Sequence, residues 1–380
     1  MQRATLIVQV APSLEDSSAV RELGWAGGIV GAQVVVTRNA AGATPQTAIT
    51  GPTGEATFAQ LLTGSYSVSV LRLLAPSETA RLSSVNADVN AFGGAMSVSV
   101  GAPSTSITLP ALGGHRGSLV ISELWRYYPR QPNGDEYVNG SFLELYNNSD
   151  TSIALADKIV IKGFPGTYDY PKFPCSLYDG INHDPTGIWT GVVHRFPETA
   201  PPLAPGRFVT LATDAIDHRP LATGALDLSR ADFEFTGTAD ADNPAVPNMV
   251  NLGPDGLRPR GFDWYEVREV VAIGTVLDLS TLPRQLFPNS GARYVVRIPA
   301  DHILDVLTTE AEIPNPYPKC GPSVDVTFDR QETAPIKSSD PRSLQRRVAF
   351  SLPDGRVVLL RTRTSARDFT LLDPTPGSAP

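Results

Sequence analysis

Apolar residues in this chain recur at every second position, in short runs broken by glycine or proline, which is the period of half-buried strands. Leu6-Ile7-Val8-Gln9-Val10 reads as one strand. Ala32 to Thr37 reads as a second, with Val34 and Val36 on one face and Gln33, Val35 and Thr37 on the other. Thr50-Gly51-Pro52-Thr53-Gly54 forms a tight turn that feeds a strand through Phe58, and the chain alternates strictly from Gly64 to Val70. A hairpin at Gly93 to Val100 and a strand at Ser106 to Leu109 close a first domain over residues 1–112. Short strands separated by glycine turns predict a small antiparallel sandwich. A short helix near 76–83 interrupts them, with Ser77 as N-cap and Glu78 in its first turn. It serves either as a cap on an open end of the sandwich or as a partner surface.

Residues 113–117 make a short linker, and a second domain spans 118–380. Its strands are Ser118 to Trp125, Phe142 to Asn147, Lys158 to Ile161 and the run after Pro205-Gly206. In the second of these, Phe142, Glu144 and Tyr146 share one face, and Leu143 and Leu145 the other. An insertion at about 163–330 is rich in proline, and a few short helices are expected inside it. Asp214 and Asp301 are read as the caps of two of them. The alternation of Arg361-Thr362-Arg363-Thr364 reads as the solvent face of a strand. The fold class is therefore all-β: two immunoglobulin-like or prealbumin-like sandwiches, the second with long loop insertions.

Three resemblances sharpen this picture. Ala32 to Val36, Gly54, Phe58, Leu61, Gly64 and Tyr66 resemble the carboxypeptidase-regulatory-like and Cna-B-like modules over residues 28–72. That resemblance implies a prealbumin-like spacer in which Gly54 makes the turn, Phe58 and Leu61 fill the core and Tyr66 packs across the sheet. Val120-Ile121-Ser122-Glu123, Phe142 to Ser149, Leu203-Ala204-Pro205-Gly206, Ser343 to Leu352, Ser365 to Phe369 and Pro374-Thr375-Pro376-Gly377 resemble a lamin-tail domain. Arg361 to Thr364 departs from the Asp-Thr-Asn-Asn that the family carries there. Asp214 to His218, Leu226 to Phe235 and Asp240 to Met249 are similar to a bacterial family of unknown function. Its members join an N-terminal prealbumin-like module to an enlarged lamin-tail-like domain and are mostly exported or lipid-anchored. That resemblance brings no catalytic residues.

Composition narrows the function. Of 380 residues 34 are proline, a load that long helices cannot carry because each interior proline costs roughly 3 kcal/mol. The net charge of -8 and the mixing of 31 basic with 39 acidic residues leave no basic stripe, so no nucleic-acid partner is expected. The arginines between Pro341 and Arg367 are a local exception. No run approaches the ~20 apolar residues of a membrane span. The two cysteines, Cys175 and Cys320, lie in proline-rich loops and are expected to pair, as exported loop cysteines do, two free thiols being the other reading.

Catalytic chemistry finds little support. There is no Gly-x-Ser-x-Gly, and the five histidines are scattered without His-Glu-x-x-His. Asp214, Asp217 and His218 form the most reactive-looking cluster, though a local structural role is preferred. Asp240, Asp242 and Asn243 offer the hard oxygens that Ca2+ takes, but Ala245 and Asn251 stand where an EF-hand needs Gly and Glu. An ordered Asx-turn loop is the competing reading. Trp125, Tyr127, Tyr128, Trp189, Trp264 and Tyr265 are candidates for a glycan or protein contact surface, or else pack the long loops.

The sequence thus points to an exported, non-enzymatic binding or assembly protein of the bacterial cell surface. Its partners would be envelope proteins or surface glycans, for instance as an accessory of a TonB-dependent uptake system or an adhesion scaffold. The alternatives are a filament subunit that adds its N-terminal strand, Thr5 to Val10, to a neighbour's sheet, and a hydrolase using paired carboxylates. No cofactor is expected beyond that calcium ion.

Overall fold

The computed structural model describes all residues except 1, 15, 26, 84–88, 164–174, 236–241, 254–269, 289–293, 311–321, 353 and 379–380. The described chain is all-β, and its contacts divide it into two compact units. The first contains Met1–Arg116 and Arg347–Thr362, the second Gly117–Arg346 and Arg363–Pro380.

The first unit is built on β1 (Arg3–Pro12), β2 (Gln33–Arg38), β3 (Gln46–Ile49), β4 (Glu55–Leu62), β5 (Gly64–Leu73), β6 (Ala91–Val100) and β7 (Ser104–Gly114), with α1 (Ser17–Glu22) and α2 (Pro76–Ser83). Their order is β3-β2-β5-β6-β7-β1-β4. Alternation does what the sequence predicts. Leu6, Val8 and Val10 of β1, Val34 and Val36 of β2 and Tyr66, Val68 and Val70 of β5 are buried in one core, with Phe58 and Leu61. The Tyr66 hydroxyl donates to the Leu62 carbonyl at 2.7 Å. Gly54 takes a positive φ of 82°, and a Cβ there would lie 2.6 Å from the Gly28 backbone.

Three expectations need correction here. The cap of α2 is Ala75 rather than Ser77. Pro76 occupies the first helical turn, and the Glu78 carboxylate reaches back to accept the Ala75 N–H at 2.7 Å, which is half of a capping box. Gly93 and Gly94 do not turn the chain. They lie inside β6, where a Cβ on Gly93 would meet the Phe350 ring at 2.2 Å and one on Gly94 the Pro110 carbonyl at 2.4 Å. Phe350 belongs to a late hairpin, numbered below, that packs on the first unit with Ala91, Leu352, Val358 and Leu360. Lastly, the N-terminal strand read as one that could join a neighbour's sheet already has both edges paired within its own, with β4 and with β7.

The second unit contains β8 (Leu119–Trp125), β9 (Phe142–Asn147), β10 (Lys158–Gly163), β11 (Gly187–Arg195), β12 (Phe208–Ala212), β13 (Phe233–Phe235), β14 (Asn248–Asn251), β15 (Val270–Thr275), β16 (Arg284–Leu286), β17 (Tyr294–Pro299), β18 (Ile303–Thr308) and β19 (Ser343–Arg346). The hairpin of the first unit follows as β20 (Val348–Ser351) and β21 (Val357–Leu359), and β22 (Phe369–Leu372) returns to the second. Two single-turn helices, α3 (Asp179–Asn182) and α4 (Ser365–Asp368), complete the set. The main sheet runs β18-β15-β10-β11-β14-β13-β12-β9-β8-β19-β22. Both of its faces are covered: on β10, Val160 joins one apolar core while Ile159 and Ile161 join another. That is why these strands read as continuous apolar runs.

Asp214 caps no helix; residues 213–218 are bends and a bridge. Asp301 lies in a 3-10 turn that leads into β18, not into a helix. Asp305 of that strand is buried because Arg346 pairs with it and with Asp368, while Arg346 also donates to the Ile121 carbonyl and stacks 4.3 Å from the Phe369 ring. Nor is Arg361 to Thr364 a strand: Arg361 is buried and Arg363 takes a φ of 56° where the chain re-enters the second unit.

Candidate functional site

Two features of the second unit gather chemistry, and both lie around β9 and β12. The first begins with a bulge. β8 and β9 pair Ile121 with Leu145, but the next register pair is Glu123 with Glu144, so the extra residue Ser122 slides Glu123 directly opposite Glu144. Each glutamate is only 1% exposed. Ser122 Oγ donates to Glu144 Oε1 at 2.9 Å and Thr210 Oγ1 to its Oε2 at 3.3 Å, and the Gly377 N–H donates to that same Oε2. Glu123 accepts from Gln345 Nε2 at 3.2 Å, from the Thr375 N–H at 3.0 Å and from Thr375 Oγ1 at 3.2 Å. Burial pushes the Glu144 carboxyl up to about 8; the Gly377 N–H pulls the other way, and the neighbouring Glu123 adds to the rise. Burial raises Glu123 as well, against its hydrogen bonds from Ser343, Thr375 and Gln345.

The second feature is a cavity of about 250 Å³. Leu155, Leu203, Val209 and Phe233 of the core make its floor, with Phe208 and Ala200 beside them. Pro201, Pro202 and Pro247 rim it, so the proline-crowded segment Pro197 to Pro205 becomes one wall. Phe208 is held by stacking on Tyr146, ring centroids 4.6 Å apart. Among the described residues, Asp232 is the only charged one in the lining, and it is exposed. Its Oδ2 accepts the Thr210 N–H at 2.8 Å, so Thr210 touches both features.

The residues singled out by sequence are placed differently. Trp125 is buried, its Nε1 donating to the Pro341 carbonyl at 2.8 Å and its ring packed on Phe142. Tyr128 is buried, and Tyr127 is half-buried against Trp125. Trp189 is buried too, donating to Asp184 Oδ2 at 2.9 Å under the Arg297 guanidinium. These rings therefore pack loops and do not form a contact surface; Trp264 and Tyr265 lie outside the described residues.

Asp240 also lies outside them. Asp242 accepts from Asn248 Nδ2 at 2.7 Å, whereas Asn243 closes an Asx turn to the Ala245 N–H at 3.1 Å and ties its amide to the Ala215 carbonyl. Among the described residues no cluster of three or more His, Cys, Asp or Glu could hold a metal.

His218 is buried. Its Nε2 faces the Asp214 carbonyl at 2.8 Å and so carries the proton, which leaves Nδ1 to accept the Tyr137 hydroxyl at 2.7 Å. Burial holds the imidazole below its usual range, while Asp217 is spent on Arg219 at 2.7 Å. This arrangement fixes a loop, with both ring nitrogens of His218 taken. Cys175 lies on a 3-10 turn, Cys320 falls outside the described residues, and no free cysteine occurs among those described.

The glutamate pair and the cavity were missed as sites. Glu123, Glu144 and Pro374 to Gly377 stand in the sequence as parts of one resemblance, and only the bulge and the return of the chain bring them together.

Residues 204–375 match the profile of a family described as protein of unknown function, DUF4876. No curated protein matches. Among solved structures, a DUF4876 family protein from Bacteroides thetaiotaomicron is 17% identical and superposes with a TM-score of 0.61 over 99% of this chain and 98% of that one, a likeness of fold. A DUF3823 family protein from Parabacteroides merdae is 11% identical over 80% of this chain and 98% of that one, with a TM-score of only 0.18. Residues 204–375 thus carry the likeness to DUF4876 in sequence, and the whole chain carries it in fold.

Proposed function

We propose that this protein is a non-enzymatic binding protein of the bacterial cell surface, exported and working as an accessory of an uptake system or as an adhesion scaffold. The observation that supports this reading is the cavity beside β12: apolar floor, stiff proline rim and one exposed carboxylate. Pockets that bind small groups combine these elements, a dry floor for affinity and a few polar atoms for orientation. Proline walls lose little freedom on binding. Its ligand would insert an apolar face and offer Asp232 a hydroxyl or a cation, as a glycan ring or a basic side chain of an envelope protein does. The carboxylate pair does not favour hydrolysis, because with Thr375 on Glu123 and Gly377 on Glu144 each carboxylate is only 1% exposed.

A Thr199→Trp substitution tests the reading, since Thr199 is exposed at the cavity wall and a ring there blocks the mouth without touching the core. Screened against envelope glycans and envelope protein extracts, the unaltered protein should retain a ligand that the variant loses at least tenfold. Equal retention by both would remove the cavity from the function. Pairing of Cys175 with Cys320 belongs to the same proposal, and an intact-mass change on reduction without alkylation checks it.

A further inference from the structure

The sheet of the second unit ends at Leu372, yet the next residues lie on the carboxylate pair. Pro374 and Pro376 have no N–H, so the donors this stretch offers alternate with prolines: the Thr375 N–H and hydroxyl go to Glu123 and the Gly377 N–H goes to Glu144. A turn from the Ser378 N–H to the Thr375 carbonyl at 3.1 Å and a φ of 82° at Gly377 shape the stretch into a small hook.

Beneath the hook, two carboxylates stand opposite one another on adjacent strands, an arrangement that repels when both are ionised. Among the described residues no cation relieves it. From β8 the pair is faced by Ser122, from β12 by Thr210 and from β19 by Ser343 and Gln345. Arg346 of β19 is engaged by Asp305 and Asp368, and Arg342 by Asp340. Asp232, the nearest further carboxylate through Thr210, is tied to that residue's backbone.

We propose that residues Pro374 to Ser378 are a proton-operated latch, closed over Glu123 and Glu144 while the pair carries no more than one negative charge and released when both ionise. Closing buries the pair and takes up a proton; opening returns both carboxylates to water and gives the proton back. The closing equilibrium therefore falls as pH rises, by up to about tenfold per pH unit while one proton is exchanged. The upward displacement of Glu144 by burial and by Glu123 agrees with this direction. Because Glu144 holds Thr210, and Thr210 holds Asp232, the latch sits one residue away from the cavity. The latch itself does not rest on the binding role of that cavity.

Amide hydrogen exchange of the whole chain, expressed as protection relative to the unstructured rate at each pH, tests the latch. Between pH 6 and 8.5 the Thr375 and Gly377 amides should lose protection steeply, while the Leu145 and Leu211 amides of β9 and β12 keep theirs. In Glu144→Gln the loss should disappear, since the amide cannot ionise. In Glu123→Gln it should disappear as well, since Glu144 alone carries at most one negative charge. Constant protection at Thr375 and Gly377, a loss in parallel with Leu145 and Leu211, or an unchanged slope in Glu144→Gln would each overturn the proposal. Should Glu144→Gln fail to fold, an unchanged loss of protection in Glu123→Gln overturns it alone.

Discussion

A glutamate that is 1% exposed and stands opposite a second one should make the stability of this protein depend on pH. The carboxyl of Glu144 sits at about 8 in the folded chain, above its ordinary 4.5. The folded state therefore binds more protons than the unfolded state between those limits. Stability from this group is fully present below about 4.5 and is lost as pH rises toward about 8. Asp329 shows the same sign over a lower window, raised by burial to about 6, so it is silent above that pH. Denaturant titrations from pH 6.5 to 8.5 should give a falling unfolding free energy in the unaltered protein and a nearly flat one in Glu144→Gln. A parallel fall in both would assign the slope to another group. His194 has the opposite sense. Burial lowers it to about 3, so the neutral imidazole packed on Phe235 costs stability only on the acid side of its usual range.

At the scale of elements, Gly93 and Phe350 form a matched pair: the strand omits a side chain where the hairpin inserts a ring. Gly93→Ala should destabilise the first unit by about 1–3 kcal/mol through overpacking, and Phe350→Ala by about 3–5 kcal/mol through the cavity it leaves. Thermal melts of the two single variants and the double variant check this. The double variant should lose less than the summed losses, since the methyl introduced on β6 then enters space vacated by the ring. Much of this fold was legible from sequence, because burial alternates with a two-residue period along β1, β2 and β5. What escaped was whatever depends on a distant partner. Two adjacent glycines signal a turn locally, and only Phe350, far along the chain, makes them a strand. The run Ile303 to Leu307 has no clear period because both faces of the sheet are covered, so Asp301 reads like a helix cap. The site was less legible. Trp125 and Trp189 are candidates for a contact surface in sequence, yet their indole N–H groups are met by the Pro341 carbonyl and by Asp184. The proline-crowded segment was visible, but its cavity needed Phe208 and Phe233 from two strands.

At the scale of the whole molecule, the chain's route through its two units matters more than its linear order. After β19 it leaves the second unit, contributes Arg347–Thr362 to the first, and returns for α4, β22 and the latch. Residues 1–116 alone therefore lack part of their own core: Ala91 and Leu71 lose Ala349, Phe350, Leu352, Val358 and Leu360. Burying side chains of this size is worth about 1.5–3 kcal/mol each, a large share of the ~5–15 kcal/mol that holds a domain together. A fragment of residues 1–116 should melt well below the first transition of the intact chain. Adding a peptide of residues 347–362 in trans should raise that melting temperature in a concentration-dependent way, as ligand linkage requires. The same peptide carrying Phe350→Ala should do so much more weakly. If the bare fragment melts like the intact chain and ignores the peptide, the hairpin is an ornament on a self-sufficient unit. If it responds, the first unit is complete only once the chain has been made through Thr362, and the two units cannot be separated by a single cut.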